Sequence, residues 1–352
     1  MFWIITIIVL LGAFIANMFS GGGSPRAVRE IFFGNYYADK GVLREGDVPN
    51  ARETLQRCID QGFGIKADVQ LTADRKLVVC SDTNLEKNFG KDIDINLASS
   101  EEVMACGIIT LEELFSMDEG KVPLILELKT GPQNDILCRF VADAIYAYEH
   151  KNVAVASFHS GIIAWFKHTE KHIFRGLISA PSKDFKSLPG IDRFMVGNLA
   201  NNSVCRPHFA LYRKGPQSIF VKFAFYLGLV QGVWTTTDKA EAAAFEDKKD
   251  MIVFSGFIPE KAHYRDLPVR EKSSVELEAE QKDAEKLERR KARLELERQS
   301  KPRHDISYYV DDDDTQPLVE GEEKTVDDDN TQSVDESEEK AVENGDNPLK
   351  KS

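Results

Sequence analysis

The residues able to do chemistry cluster at the ends of short apolar runs. Asp39 and Lys40 follow IFFGNYYA, Lys66 and Asp68 lie two apart in GIKADVQLT, and Ser81 and Asp82 close the run that begins at Leu77. Glu127 and Lys129 close PLILELK, and Trp234 lies in VQGVWTTT. Carboxylates brought together from several such ends could hold a hard divalent cation, Mg²⁺ or Ca²⁺, on oxygen alone. Lysines brought together in the same way could instead take a phosphate without a metal. A plainer outcome is mutual pairing, with Asp68 and Glu127 as salt-bridge partners of Lys66 and Lys129. Of seven histidines, only His159, directly after Ser157-Phe158, is expected to approach these ends.

Positioning such residues requires a scaffold that collects strand ends on one face. Eight apolar, β-branched runs begin at Ile31, Gly64, Pro123, Asn152, Ile173, Arg193, Val230 and Asp250. Several are near-continuous, as strands covered on both faces of a parallel sheet must be. Between them, 50–61, 110–117, 134–150 and 238–247 read as helices, with Thr110 and Asp238 as N-caps. Eight alternations in about 230 residues predict a (β/α)₈ TIM barrel over 31–262, with its chemistry at the C-terminal ends of the strands. An open doubly wound sheet is the alternative, and no Gly-x-Gly-x-x-Gly turn favours it.

The segments around the barrel have other compositions. Residues 1–19 (MFWIITIIVLLGAFIANMF) carry no charge and are about long enough for a transmembrane helix. No basic residue precedes them, which favours a retained single-pass anchor over a cleaved signal peptide. Residues 20–30 form a linker that begins with a glycine-rich break, and Arg26 and Arg29 within it place the barrel on the cytoplasmic side; export of the barrel is the alternative. Five widely spaced cysteines without a Cys-x-x-Cys pair fit reduced, buried thiols better than a disulfide framework or a zinc site.

The formal charge of −13 resides entirely in residues 305–352, where 17 acidic residues meet 4 basic ones. Residues 1–304 are neutral and show no basic stripe, which argues against a nucleic-acid partner. Residues 270–300 predict a charged, solvated helix with Glu and Lys or Arg four apart. Residues 301–352 predict a disordered acidic tail in which 311–326 repeats as 327–342 with 10 identities in 16. This helix and tail are candidates for binding a protein partner.

In order and spacing, 31–260 resembles the glycerophosphodiester phosphodiesterase family. The resemblance rests on Asp-Val-x-Leu-Thr-x-Asp from Asp68, an apolar run ending at Asp82, Glu127-x-Lys129, Ser157-Phe158 and Trp234-Thr235. It implies hydrolysis of a glycerol phosphodiester by a divalent cation held on carboxylates, with two histidines as acid and base. At the family's histidine positions this sequence has Asp39 and Ser81, its arginine position has Lys40, and a metal-ligand glutamate is replaced by Lys66. Asp68, Asp82, Glu127, Lys129 and Trp234 match.

The resemblance therefore makes Asp68 and Glu127 the remaining metal ligands if any metal binds, and Lys40, Asp82, Lys129 and Trp234 the contacts to substrate or phosphate. An ammonium at Lys66 could take the place of the cation, so no metal cofactor is expected; Mg²⁺ or Ca²⁺ on a rearranged set of Asp39, Asp68, Asp82 and Glu127 is the alternative. The expected function is a membrane-anchored, catalytically degenerate relative that binds a glycerophosphodiester, another phosphorylated molecule or a protein. An active hydrolase with a rearranged site and a membrane-tethered scaffold are the alternatives.

Overall fold

The computed structural model describes residues 2–24 and 26–266, with scattered helical positions between 277 and 296. The duplicated acidic tail and most of the charged helix lie outside the described residues.

Strand β1 (Asn35–Asp39) pairs in parallel with β2 (Gly64–Leu71) on one side and with β9 (Met251–Phe254) on the other, which closes the sheet. Between them run β4 (Leu124–Leu128), β5 (Val153–Ser157), β6 (Phe174–Ser179), β7 (Phe209–Arg213) and β8 (Val230–Thr236), all parallel to their neighbours. The short β3 (Leu77–Val79) folds back antiparallel on β2. Eight parallel strands wrapped by helices make the expected TIM barrel.

Tyr37, Ile125, Phe174, Phe209, Leu211 and Met251 belong to the apolar cluster formed by inward-facing strand residues. Helix α1 spans Phe2–Phe19 and helix α2 spans Arg26–Phe32. Helix α2 plugs the N-terminal end of the barrel: Phe32 stacks on Phe174, and the Tyr37 hydroxyl donates to the Phe32 carbonyl at 2.6 Å. Between α1 and α2, Gly21 and Gly22 are packed, since the Gly22 N–H donates to the Pro207 carbonyl at 2.7 Å and a Cβ at Gly21 would meet that oxygen at 2.6 Å. The glycine-rich break is thus a close approach of chain to barrel.

Seven of the eight expected runs contain a strand. The exception is the run at Arg193, which lies in the helix Gly190–Gly197. Its apolar residues recur as Ile191, Phe194 and Met195, a helical spacing, and Pro189 stands at the N-cap. The missing strand is β7, short and flanked by polar residues. Among the described residues no helix is long and apolar enough to cross a membrane. Helix α1 has 18 residues, about 27 Å at 1.5 Å per residue, against a hydrocarbon core of about 30 Å. Its last turn is also committed to the barrel, where Asn202 Nδ2 donates to the Phe19 carbonyl at 2.8 Å.

Candidate functional site

Alternation along β2 sends Lys66 and Asp68 to the same face of the strand. The parallel register sets Asp39 of β1 opposite Lys66 and Asp68 opposite Glu127 of β4. Three neighbouring strands thereby deliver an acid, a base and two more acids to one patch of the barrel mouth. Lys129 and Lys40, just past the ends of β4 and β1, complete it.

The Lys66 ammonium occupies the middle. Its Nζ lies 3.1 Å from Asp39 Oδ1 and 3.6 Å from Asp68 Oδ1, and it pairs directly with Glu127 Oε2. Lys129 pairs with Glu127 Oε1 and lies 3.1 Å from Asp68 Oδ1, and Lys40 Nζ lies 3.7 Å from Asp68 Oδ2. The side chains of Lys66, Asp68 and Glu127 are at most 4% exposed, whereas those of Lys40 and Lys129 are 33% and 29% exposed. Three carboxylates and three ammonium groups form a closed, charge-balanced network with two lysines at its rim.

Hydroxyl and amide groups complete it. Ser81 Oγ donates to Asp68 Oδ2 at 2.7 Å and accepts from Asn50 Nδ2 at 2.8 Å. Thr235 Oγ1 donates to Asp39 Oδ2 at 3.0 Å. Burial opposes ionisation of Lys66, but Glu127, Asp39 and Asp68 outweigh it and hold the ammonium above the ordinary lysine range. Burial would likewise raise Asp68, yet Lys66, Lys129 and Lys40, helped by the Ser81 hydroxyl, hold it well below the ordinary carboxylate range. Lys129 is raised too, against its own burial, chiefly by Asp68 and Glu127.

The fold brings together seven residues expected from the sequence, Asp39, Lys40, Lys66, Asp68, Ser81, Glu127 and Lys129. Asp82 stands apart, its carboxylate accepting from Asn88. Trp234 lies on the opposite wall, with Nε1 donating to the Ser179 carbonyl at 2.9 Å and its ring edge-on to Phe158 at 5.5 Å. His159 is exposed before the helix Ser160–Thr169, where its backbone N–H donates to Ser157 Oγ at 3.1 Å. Two participants escaped sequence reasoning. Asn50 is buried at φ 62°, and its only signal was an asparagine at a turn after Pro49; Thr235 stood beside Trp234 without an assigned role.

A cavity of about 180 Å³ opens beside Lys129, lined among others by Thr72, Asn96, Gln133 and Asn134. The Lys129 ammonium and the amide groups of Asn96, Gln133 and Asn134 are polar groups on its wall, beside Leu71, Leu97 and Leu137.

Solved structures share this architecture. A glycerophosphodiester phosphodiesterase described as such from Galdieria sulphuraria superposes with TM-score 0.52 at 18% identity, covering 64% of this chain and 95% of that one. An Oleispira antarctica phosphodiesterase, solved with its product sn-glycerol-3-phosphate, gives 0.51 at 17% identity over 63% and 93%. A third, from Silicibacter pomeroyi, gives 0.51 at 16% over 68% and 93%. The barrel has the glycerophosphodiester phosphodiesterase fold. Neither a protein-family model nor a curated protein matches the sequence.

The divalent cation implied by this phosphodiesterase fold does not fit the residues present. A hard cation needs oxygen ligands, carboxylates among them, converging at about 2.0–2.6 Å, and here Asp39, Asp68 and Glu127 converge on the Lys66 ammonium. Their three negative charges are already balanced by lysines, so a dication would add two uncompensated charges to a buried site. Asp39 binds Lys66 and Thr235, and Ser81 binds Asp68.

Proposed function

We propose that this protein is a metal-free member of the phosphodiesterase fold that has lost phosphodiester hydrolysis and binds a phosphorylated small molecule at the barrel mouth. One observation carries the reading: the Lys66 ammonium sits among Asp39 and the two carboxylates, Asp68 and Glu127, that the resemblance makes metal ligands. Lys40 and Lys129, the solvent-facing members of the cluster, supply the positive charge for the phosphate, and the cavity beside Lys129 holds the rest of the ligand. The sn-glycerol-3-phosphate bound to the Oleispira protein is the natural first probe.

We further propose that α1 attaches the barrel to a membrane without crossing it, with the barrel on the cytoplasmic side. Most of its apolar side chains between Trp3 and Phe14 are exposed, which supports burial in lipid. The five free thiols are consistent with a reducing compartment.

The test is release of glycerol 3-phosphate from glycerophosphocholine and glycerophosphoglycerol by the full chain, with and without Mg²⁺ or Ca²⁺. The expected result is no release above background. Metal-dependent turnover that disappears in Asp68→Ala overturns the reading.

A further inference from the structure

Outside α1, the exposed large apolar side chains of the barrel are not scattered. Of nine between residues 31 and 266, six fall on three consecutive helices: Ile191 and Phe194 on Gly190–Gly197, Val204 on Asn202–Cys205, and Ile219, Phe220 and Tyr226 on Ile219–Tyr226. Exposure reaches 73% at Ile191 and 76% at Ile219, values that a solvated helix face does not require.

This face is continuous with α1. Phe19 stacks on Phe220 with centroids 5.4 Å apart, and Phe194 meets Phe220 edge-on at 5.5 Å. Arg206 Nη1 donates to the carbonyls of Asn17 and Ser20, each at 3.1 Å, so α1 leaves the barrel in a fixed direction beside these helices. The same stretch is basic: residues 182–226 contain seven Lys or Arg against two Asp, although residues 1–304 as a whole are neutral. Lys183, Lys186 and Lys222 are exposed on it. The loop that carries Lys183 and Lys186 also carries Phe185, whose ring lies 6.5 Å from Phe158 at the mouth.

We infer that these three helices and the 182–189 loop form a lipid-docking surface, which lays the barrel on an anionic bilayer beside α1 with the rim of the mouth at the headgroups. Apolar side chains ringed by lysines match an interfacial contact, where the former enter the acyl boundary and the latter meet lipid phosphates. A single protein groove would cover the three helices but leave the exposed shaft of α1 in water; a bilayer covers both. The inference rests on the reading of α1 as a membrane attachment.

The experiment is co-sedimentation of the full chain with vesicles of phosphatidylcholine alone and with one-fifth phosphatidylserine. Wild type is expected to bind both, and the anionic vesicles more tightly. The triple variant Ile191→Ser, Phe194→Ser, Ile219→Ser is expected to lose about tenfold or more in binding to both. The charge variant Lys183→Glu, Lys186→Glu, Lys222→Glu changes only exposed side chains and is expected to lose the preference for phosphatidylserine. Absence of wild-type binding to either vesicle overturns the attachment reading and this surface with it. Wild-type binding that the charge variant preserves, with its preference for phosphatidylserine intact, overturns the surface alone, as does a face whose substitution abolishes self-association in sedimentation velocity without changing vesicle binding.

Discussion

Lys66 Nζ lies 3.1 Å from Asp39 Oδ1, joining a base inside β2 to an acid at the end of β1 across the first seam of the barrel. The contact follows from register, because the two residues are direct partners in the parallel ladder. It joins Asp39 and Lys66, the two residues that stand where the family resemblance expects a histidine and a metal-ligand glutamate. Each makes the other tolerable, since a buried ammonium needs carboxylates and an extra carboxylate needs a cation.

Removing Lys66 leaves Asp39, Asp68 and Glu127 close together with the central cation gone. Lys66→Met is expected to destabilise the protein by about 3–5 kcal/mol, the cost typical of breaking a buried ion pair from one side. Urea denaturation checks this, with the exposed Lys186→Ala as a control expected within about 0.5 kcal/mol of wild type.

Lys66→Glu changes the cluster from balanced to two charges negative and restores an oxygen donor at its centre. This variant is expected to gain a rise in melting temperature on addition of Mg²⁺ or Ca²⁺, and wild type is expected to show none, because binding to the folded state alone stabilises it. Differential scanning fluorimetry across a metal titration reads the difference.

Lys40 and Asp82 separate the ligand-binding reading from mere proximity to the mouth. Lys40→Ala is expected to weaken binding of sn-glycerol-3-phosphate about tenfold, the scale of one lost charge-assisted hydrogen bond. Asp82→Ala is expected to leave binding unchanged, since its carboxylate is turned to Asn88. Calorimetric titration of both variants provides the comparison.

His208, at the foot of β7, introduces a pH dependence away from the mouth. Burial, reinforced by Arg175, lowers it from 6.5 to about 3, and its ring stacks on Phe174. A histidine depressed in the folded state contributes stability that is complete above the unfolded value and is lost as pH falls from 6.5 toward 3. The slope in that window is expected to approach about 1.4 kcal/mol per pH unit and to flatten in His208→Gln. The Asp68 contribution has the same sign but a lower window, being complete above its unfolded value of 3.8 and lost only under stronger acid.

The barrel was legible because a parallel sheet covered on both faces writes its strands as apolar runs. The helix starts at Thr110 and Asp238 were legible for a local reason, and both side chains cap as expected, accepting from Glu113 N and Glu241 N. Two features were not. The Arg193 run has strand-like composition, but Arg193 to Gly197 are helical, with Phe194 exposed and Leu199 and Ala200 buried just beyond the helix, so an apolar run there did not mark a strand. Strand β7 hides because Pro207 and His208 interrupt its approach and only five residues pair. At the mouth, the cluster members could be named from strand ends, but the direction of Asp82 and the parts played by Asn50 and Thr235 depend on loops whose course no periodicity encodes. The length of α1 was readable; its anchorage to Asn202 and Arg206, 183 and 189 residues away in sequence, was not.

The most direct measurement is isothermal titration of Mg²⁺ and Ca²⁺ into the full wild-type chain. A cluster already neutralised by Lys40, Lys66 and Lys129 predicts no binding heat at submillimolar concentrations. Submillimolar binding of either ion that disappears in Asp68→Ala would show that the carboxylates yield to a metal, and would contradict the account.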